Sequence, residues 1–259
     1  MEFEDILYQK KDGLAKITIN RPNVLNAFRT LTLKELCEAF KDAEVDRDVG
    51  VVVLTGAGDR AFCVGGDSKE TPDGGYTMEL HRHHATLHRA IRFIPKPVIA
   101  AVNGWCVGGG NVFCTLCDLA IASENARFGQ AGPRVGSFDA GFGASFLSRI
   151  VGEKKAREIW FLCRNYTAQE ALDMGLINKV VPSDKLEAEV DDWCKELLAK
   201  SPTALKFLKV SMNADSDNLF GMEGLAENAV WLYWQTEEGK EGRKSYLEKR
   251  APDWDRFRL

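Results

Sequence analysis

The stretch KPVIAAVNGWCVGGGNV, residues 96–112, decides the fold of this chain. Its first half is a continuous run of apolar, largely β-branched residues, which is typical of a strand buried on both faces. Three successive glycines follow, and WCVGGGNVFCTLCDLAIAS then predicts a turn, a helix and a further strand. This succession of buried strand, turn, helix and strand predicts an α/β architecture with stacked parallel strands.

The neighbouring segments extend the same alternation. VGVVVLTG, residues 49–56, is another apolar run closed by glycine. After residue 151, helical patterns dominate. The remaining predicted elements are a hairpin over residues 3–22, helices over 31–44 and 78–93, and a short strand at 177–182.

A chain of 259 residues can form one large domain with a helical appendage. We predict a core over residues 1–200 and a C-terminal helical region over residues 201–259. The C-terminal region is rich in tryptophan and tyrosine. Because aromatic residues are enriched at interfaces, we expect this region to pack on its own body or on another subunit.

Composition narrows the function classes. The net charge of −4 gives no electrostatic footprint for nucleic acid, and no apolar run approaches the roughly 20 residues of a membrane-spanning helix. The N-terminal sequence MEFEDILYQKKDG has no hydrophobic signal region. The seven cysteines are scattered, which disfavours a disulfide framework. We therefore expect a cytoplasmic protein without nucleic-acid or membrane partners.

Two glycine groups each follow a predicted buried strand: Gly65 with Gly66, and the triplet that includes Gly109. Glycine lets the backbone approach a ligand closely, and the first N–H groups of a helix have no helical partner. One N–H from each group could converge on a single oxygen and form an oxyanion hole. The alternative is two tight structural turns. Neither group matches a dinucleotide-binding or P-loop motif.

Three motifs together resemble those of the crotonase superfamily, the enoyl-CoA hydratases and isomerases: AFCVGGDSKE (61–70), the stretch 96–112, and CDLAIASENARFGQ (117–130). The resemblance covers essentially the whole chain. It implies a crotonase ββα-spiral core with a C-terminal helical region, assembled as a trimer or a dimer of trimers. It also implies an acyl-CoA substrate whose enolate oxygen binds the N–H groups of Gly66 and Gly109.

Hydratases of this superfamily carry two glutamates, and the resemblance identifies where they fall in this chain. One position is Val112, just after the glycine triplet, and the other is Gly132. Neither residue can hold or move a proton. Hydration by paired carboxylates is therefore not expected here, despite the fold.

FGQAGPRVGSFDAGFG, residues 128–143, resembles one branch, the 1,4-dihydroxy-2-naphthoyl-CoA synthases, which close a ring by a Dieckmann-type reaction. The resemblance implies that Ser137 and Asp139 handle the second carbonyl and that Tyr76 comes from a mobile loop near the substrate.

In the bicarbonate-dependent members of this branch, a bound bicarbonate replaces the missing glutamate as the base. The matching positions here are Gln130, Gly132 and Trp160. No tightly bound cofactor is expected otherwise, and CoA enters as part of the substrate. The resemblance implies CoA contacts from Lys69, Tyr246 and Lys249.

The chain departs from the synthases at three positions. The C-terminal catalytic tyrosine falls at Trp234, whose indole N–H can donate a hydrogen bond but cannot shuttle a proton. A CoA-side arginine falls at Leu25, and a histidine falls at Asn111. The chain is also similar to the 2-ketocyclohexanecarboxyl-CoA hydrolases, which open a ring by the reverse reaction. Three hypotheses remain: ring closure, ring opening and a non-catalytic acyl-CoA-binding protein.

Two further patterns have weaker functional interpretations. His84 and His88 stand one helical turn apart, as zinc ligands can, but a third ligand is missing from the pattern. We expect a solvated helix face beside CoA and no metal. Cys114 and Cys117 form a C-x-x-C pattern inside a predicted helix, which favours buried packing over a redox or metal role.

Overall fold

The computed structural model describes residues 2–71, 75–216 and 220–257. Within them, the strands are β1 (Ile6–Lys11), β2 (Leu14–Ile19), β3 (Val51–Gly56), β4 (Ala61–Cys63), β5 (Val98–Val102), β6 (Trp105–Val107), β7 (Leu119–Ser123), β8 (Arg127–Gly129), β9 (Asn165–Thr167) and β10 (Lys179–Val181).

The helices of the same residues are α1 (Thr30–Val45), α2 (Met78–Phe93), α3 (Gly109–Leu116), α4 (Leu147–Val151), α5 (Glu153–Leu162), α6 (Ala168–Asp173), α7 (Leu186–Leu198), α8 (Pro202–Ala214), α9 (Phe220–Gln235) and α10 (Glu237–Leu247). A single π-helical turn, Gly141–Phe146, leads directly into α4.

The strands form two sheets. The larger sheet has the order β1-β2-β3-β5-β7-β10, and the smaller has the order β4-β6-β8-β9. Pairing is parallel except at β1–β2 and β8–β9. The pairs β3/β4, β5/β6 and β7/β8 each place one strand in each sheet before the next helical segment. This repeated unit is the predicted ββα spiral, and the fold prediction is confirmed.

Strand β3 is buried on both faces, as its unbroken apolar run predicts. Val52 and Leu54 belong to the main core, together with the apolar face of α1. Val51 and Val53 belong to a second cluster on the opposite face of the sheet, which α7 covers with Leu186, Val190 and Cys194. The larger sheet is therefore a central layer between helices.

One local prediction is wrong. Residues 105–107 were expected to form a turn, but they form β6, which pairs with both β4 and β8. The turn lies one residue earlier, at Gly104, where a β-carbon would overlap the backbone carbonyl of Arg60. A strand of three residues is too short to show the alternation that identifies strands in a sequence.

The predicted boundary at residue 200 falls between α7 and α8; the division into two units itself stays a prediction. Helix α8 is attached to the body by Lys209, which is only 8% exposed. Its Nζ donates to Asp118 Oδ2 at 2.6 Å and to the carbonyl oxygen of Lys96 at 3.1 Å.

Among the described helices, none is both long and apolar enough to cross a membrane.

Replacement of Lys209 by methionine should lower the free energy of unfolding by about 2 kcal/mol, because buried acceptors lose a charged donor. A larger loss is not expected, since the Asp118 side chain keeps 26% of its surface exposed. Urea unfolding of Lys209→Met against Lys206→Met, an exposed lysine of the same helix, measures the difference. Equal stability of the two variants would contradict this role of Lys209.

Candidate active site

A cavity of about 670 Å³ lies between the loops that follow β4 and β8, helix α2, the first turn of α3, and the two C-terminal helices. Of the predicted site residues, all except Lys249 line it. The predicted residues that line the cavity are Gly66, Lys69, Tyr76, Gly109, Gln130, Gly132, Ser137, Asp139, Trp160 and Tyr246.

Two backbone N–H groups meet at this cavity. Gly109 is the first residue of α3, so its N–H has no partner inside the helix. Near Gly66, the bridge to Phe28 uses the carbonyl of Gly65 and the N–H of Asp67, and it leaves the N–H of Gly66 outside the ladder. The two loops are in contact, since a β-carbon on Gly65 would lie 3.1 Å from the Gly109 nitrogen. The arrangement suits an oxyanion hole.

The glycines are required by close packing at this point. A β-carbon on Gly110 would overlap the carbonyl oxygen of Cys63, so α3 can approach β4 only without a side chain there. Gly65 and Gly108 have φ angles of +93° and +55°, which other residues rarely adopt. The glycine motif therefore allows the close packing of the two loops that carry these N–H groups.

One wall of the cavity is a contact chain of Tyr76, Trp234 and Ser137. A β-carbon on Gly66 would lie 2.6 Å from the Tyr76 ring, so this ring sits directly beside the hole. The ring centroids of Tyr76 and Trp234 are 4.5 Å apart, and Trp234 Nε1 donates to Ser137 Oγ at 3.2 Å. Burial raises the pKa of Tyr76 to about 12. Its hydroxyl is therefore protonated at neutral pH and can donate a hydrogen bond.

Asp139 stands at the start of the π-helical turn. Its Oδ1 accepts the N–H of Gly141 at 3.0 Å, and a β-carbon on Gly143 would lie 2.7 Å from its carboxyl carbon. Glycine at position 143 thus makes room for this carboxylate on the cavity wall. The loop brings Ser137 and Asp139, the pair implied by the resemblance, to the same cavity.

The predicted bicarbonate residues meet on the adjoining wall. Trp160 donates its Nε1 proton to the carbonyl of Gly143 at 2.6 Å. Its ring would lie 3.0 Å from a β-carbon on Gly132. Gln130 is 2% exposed, and its Nε2 has no hydrogen-bond partner within the described residues. This wall therefore offers a buried donor for an anion or another acceptor.

Position 132 has no room for a longer side chain. A β-carbon there would lie 2.7 Å from the carbonyl oxygen of Ser137 and would also press on Trp160. The hydratase glutamate would need this loop to take another path. The loop itself is supported from the C-terminal end, because a β-carbon on Gly242 of α10 would overlap the backbone of Gly136.

At the entrance, Tyr246 is 57% exposed, and Lys69 lies nearby on the rim of the cavity. Lys249 follows α10 with a φ of 55° and does not line the cavity of its own chain, so its CoA contact stays a prediction. Leu25 also lines the cavity. The charged lining residues that were not predicted are Arg60, Asp67, Arg134, Glu227 and Arg243.

The histidine prediction needs correction. His84 and His88 do not form a solvated face: both line the cavity, and His88 is 2% exposed. His81, three residues before His84, lines it as well, so three histidines share one face of α2. That i, i+3, i+7 spacing was the available signal. No cluster of three potential metal ligands occurs in the part of the chain that the structure describes.

The C-x-x-C pattern is part of the packing around α3. Cys114 is 2% exposed, and Cys117 ends the helix as its C-terminal cap. Burial raises the pKa of the Cys117 thiol well above its usual value. A thiol held protonated in this way is a poor nucleophile and a poor metal ligand, which agrees with the packing interpretation.

The comparisons with known proteins define the class. The model of the enoyl-CoA hydratase/isomerase family matches residues 9–256. The chain belongs to this family, and the acyl-CoA chemistry of the crotonase superfamily is thereby supported.

Solved structures of the same fold cover nearly the whole chain. An enoyl-CoA hydratase from Mycobacterium avium subsp. paratuberculosis K-10 is 30% identical, with a TM-score of 0.85, over 97% of this chain and 99% of that one. A carnitinyl-CoA hydratase from Mycobacterium avium is 30% identical, with a TM-score of 0.86, over 97% and 98%. An enoyl-CoA hydratase/isomerase from Xanthobacter autotrophicus Py2 is 31% identical, with a TM-score of 0.85, over 95% and 93%.

Replacement of Gly109 by alanine should weaken enolate binding at least tenfold, because its β-carbon would lie 2.7 Å from the Phe28 ring and displace the N–H donor; loss of such a donor typically costs about 100-fold or more in rate. Titration with acetoacetyl-CoA, followed by the ultraviolet absorbance of its enolate, measures the change. Gly224→Ala, at a position with no atom within 4 Å of the new β-carbon, is the matched control. Unchanged enolate formation by Gly109→Ala would remove this residue from the hole.

Proposed function

We propose that this enzyme makes or breaks a ring carbon–carbon bond in an acyl-CoA, with Dieckmann-type ring closure as the favoured direction. The observation that carries the proposal is at position 132. The Ser137 carbonyl and the Trp160 ring fill the space that a hydratase glutamate needs, and the other glutamate position holds Val112, which is 2% exposed.

The residues of the cavity support the steps of ring closure in order. The N–H groups of Gly66 and Gly109 bind the thioester oxygen and stabilise the enolate that forms when the α-proton leaves. The enolate carbon then attacks a second carboxyl carbon of the same acyl group. Asp139 and Ser137 protonate or orient the attacked carbonyl, and one of its oxygens leaves as water. Tyr76, which lies beside the hole, is placed to donate to the same oxygen as the glycines.

For the base, we propose bicarbonate held at Gln130, Gly132 and Trp160. The fit rests on the buried Gln130 Nε2, which has no partner among the described residues, and on the missing side chain at Gly132. Trp160 contributes its ring, since its N–H already binds Gly143. Bound there, bicarbonate would supply the proton acceptor that a glutamate supplies in hydratases.

Ring opening is the second candidate, and one observation favours it. The indole of Trp234 is hydrogen-bonded to Ser137 and cannot transfer a proton as the synthase tyrosine does. In ring opening, Asp139 would assist the attack of water on the ring ketone. The bond to the α-carbon would then break, its electrons would form the thioester enolate, and the α-carbon would finally be protonated.

Hydration is the competing activity, because the similar structures are named enoyl-CoA and carnitinyl-CoA hydratases. A non-catalytic acyl-CoA-binding protein is the remaining alternative.

We also propose that the chain forms a homotrimer or a dimer of trimers. Support comes from large apolar side chains exposed on the C-terminal helices: Phe207 (64%), Met212 (70%), Leu225 (62%) and Leu232 (66%).

The decisive assay compares o-succinylbenzoyl-CoA, 2-ketocyclohexanecarboxyl-CoA and crotonyl-CoA. We expect turnover of one of the first two and a loss of about 100-fold or more in Asp139→Asn, the usual scale for removing an acid–base group. Glu227→Gln, another carboxylate of the same cavity, is the control and should retain most of the activity. Turnover of crotonyl-CoA alone, insensitive to Asp139→Asn, would overturn the proposal, and so would binding without turnover.

The bicarbonate proposal has its own test. Activity of the wild type in carbon dioxide-free buffer should rise on addition of bicarbonate. Gln130→Leu, which keeps the size of the side chain but removes its donor, should lose that response. Chloride at the same ionic strength controls for salt. Equal activity with and without bicarbonate would show that another group takes the proton.

A further inference from the structure

The imidazoles of His84 and His88 line the inner part of the cavity, and no step of the proposed reaction uses them. His88 is 2% exposed, whereas Tyr246 at the entrance is 57% exposed. Both histidines belong to α2, whose buried residues Leu80, Leu87 and Ile91 fix this face of the helix against the core. The orientation of the two imidazoles is therefore set by packing.

Their surroundings are aromatic. The His84 ring lies 5.4 Å from Phe28 and 5.8 Å from Phe113, measured between ring centroids. His88 lies 4.0 Å from His84 and 6.0 Å from Phe142. Within the described residues, the ring nitrogens of His84 make no hydrogen bond. His84 is partly exposed and lines the cavity, so its ring can donate to or accept from a bound ligand.

The histidines occupy a definite place relative to the oxyanion hole. A β-carbon on Gly109 would lie 2.7 Å from the Phe28 ring, and the Phe28 ring in turn contacts His84. The wall therefore runs from the hole through Phe28 to His84 and then to His88. The cavity is continuous from the hole to this wall, so it has room for an acyl group that extends from the thioester towards the histidines.

The charge state of His84 limits what it can bind. Burial lowers the pKa of His84 well below its usual value, and the neighbouring His88 and His81 lower it further. His84 is therefore neutral at physiological pH, with one donor and one acceptor nitrogen. A neutral imidazole suits a hydroxyl or a ketone oxygen, whereas a carboxylate would favour a charged partner.

We propose that His84 and His88 form a subsite for a neutral oxygen substituent, a hydroxyl or oxo group, at the end of the acyl group remote from the thioester. This oxygen is separate from the carbonyl that Ser137 and Asp139 handle. The inference rests on the proposed function only in taking the cavity as the acyl-CoA site. It makes the ring that is closed or opened an oxygenated one rather than a plain hydrocarbon ring.

The test uses three unreactive thioesters: cyclohexanecarboxyl-CoA, its 4-hydroxy derivative and its 4-carboxy derivative. Isothermal titration calorimetry on the wild type should show the hydroxylated probe binding about tenfold more tightly than the plain one, the scale of one net hydrogen bond. The carboxylated probe should gain nothing. Equal affinity for the plain and hydroxylated probes would overturn the proposal, as would a preference for the carboxylated one.

The variants assign the preference to the histidines. His84→Leu should bind the plain probe as the wild type does but lose the preference for the hydroxyl, and His88→Gln, which keeps a donor, should retain part of it. His83→Ala, on the same helix but not lining the cavity, is the control. A preference that survives in His84→Leu would place the subsite elsewhere. None of the probes has a ring ketone β to the thioester, so none can undergo the proposed ring opening, and the result stands or falls separately from the assay of turnover.

Discussion

The structure depends on the contact between the first turn of α3 and the backbone of β4. Because Gly110 has no side chain, the helix can lie against the carbonyl of Cys63, and this places its N-terminus beside Gly65 and Gly66. The ββα spiral brings β4 and β6 together as neighbours in the smaller sheet. The pairing of these two short strands thus brings the glycine loops together, and their N–H groups can then donate to one oxygen.

The remaining parts of the cavity differ in how they are held. The hole is built from backbone at the ends of buried strands, where the conformation is fixed by the core. The Ser137 and Asp139 loop is held instead by side chains and by the C-terminal helices, including the bond between Trp234 and Ser137. Within one family, the backbone of the glycine loops can therefore stay constant while the loop at Ser137 and Asp139 changes with the reaction.

The sequence predicts the helices and strands and the glycine motifs of the family better than it predicts the residues of the cavity that would set the particular reaction. Long apolar runs such as β3 are recognisable because both faces are buried, and the glycine motifs are recognisable because close packing admits no other residue. Strand β6 was missed because its three residues show no periodicity. The inward direction of His84 was missed because it is set by Phe28 and Phe113, which come from other parts of the chain. The charge of a run of histidines suggests solvent, and only the packing of α2 shows otherwise.

The close approach of Gly136 and Gly242 has a consequence for the mechanics of the site. In a backbone-to-backbone contact of this kind, no side chain lies between the two segments. A movement of one segment therefore cannot be accommodated by a change of rotamer and shifts the other segment directly. Helix α10 therefore moves together with the loop that carries Ser137 and Asp139. A displacement of α10 would move these two cavity residues.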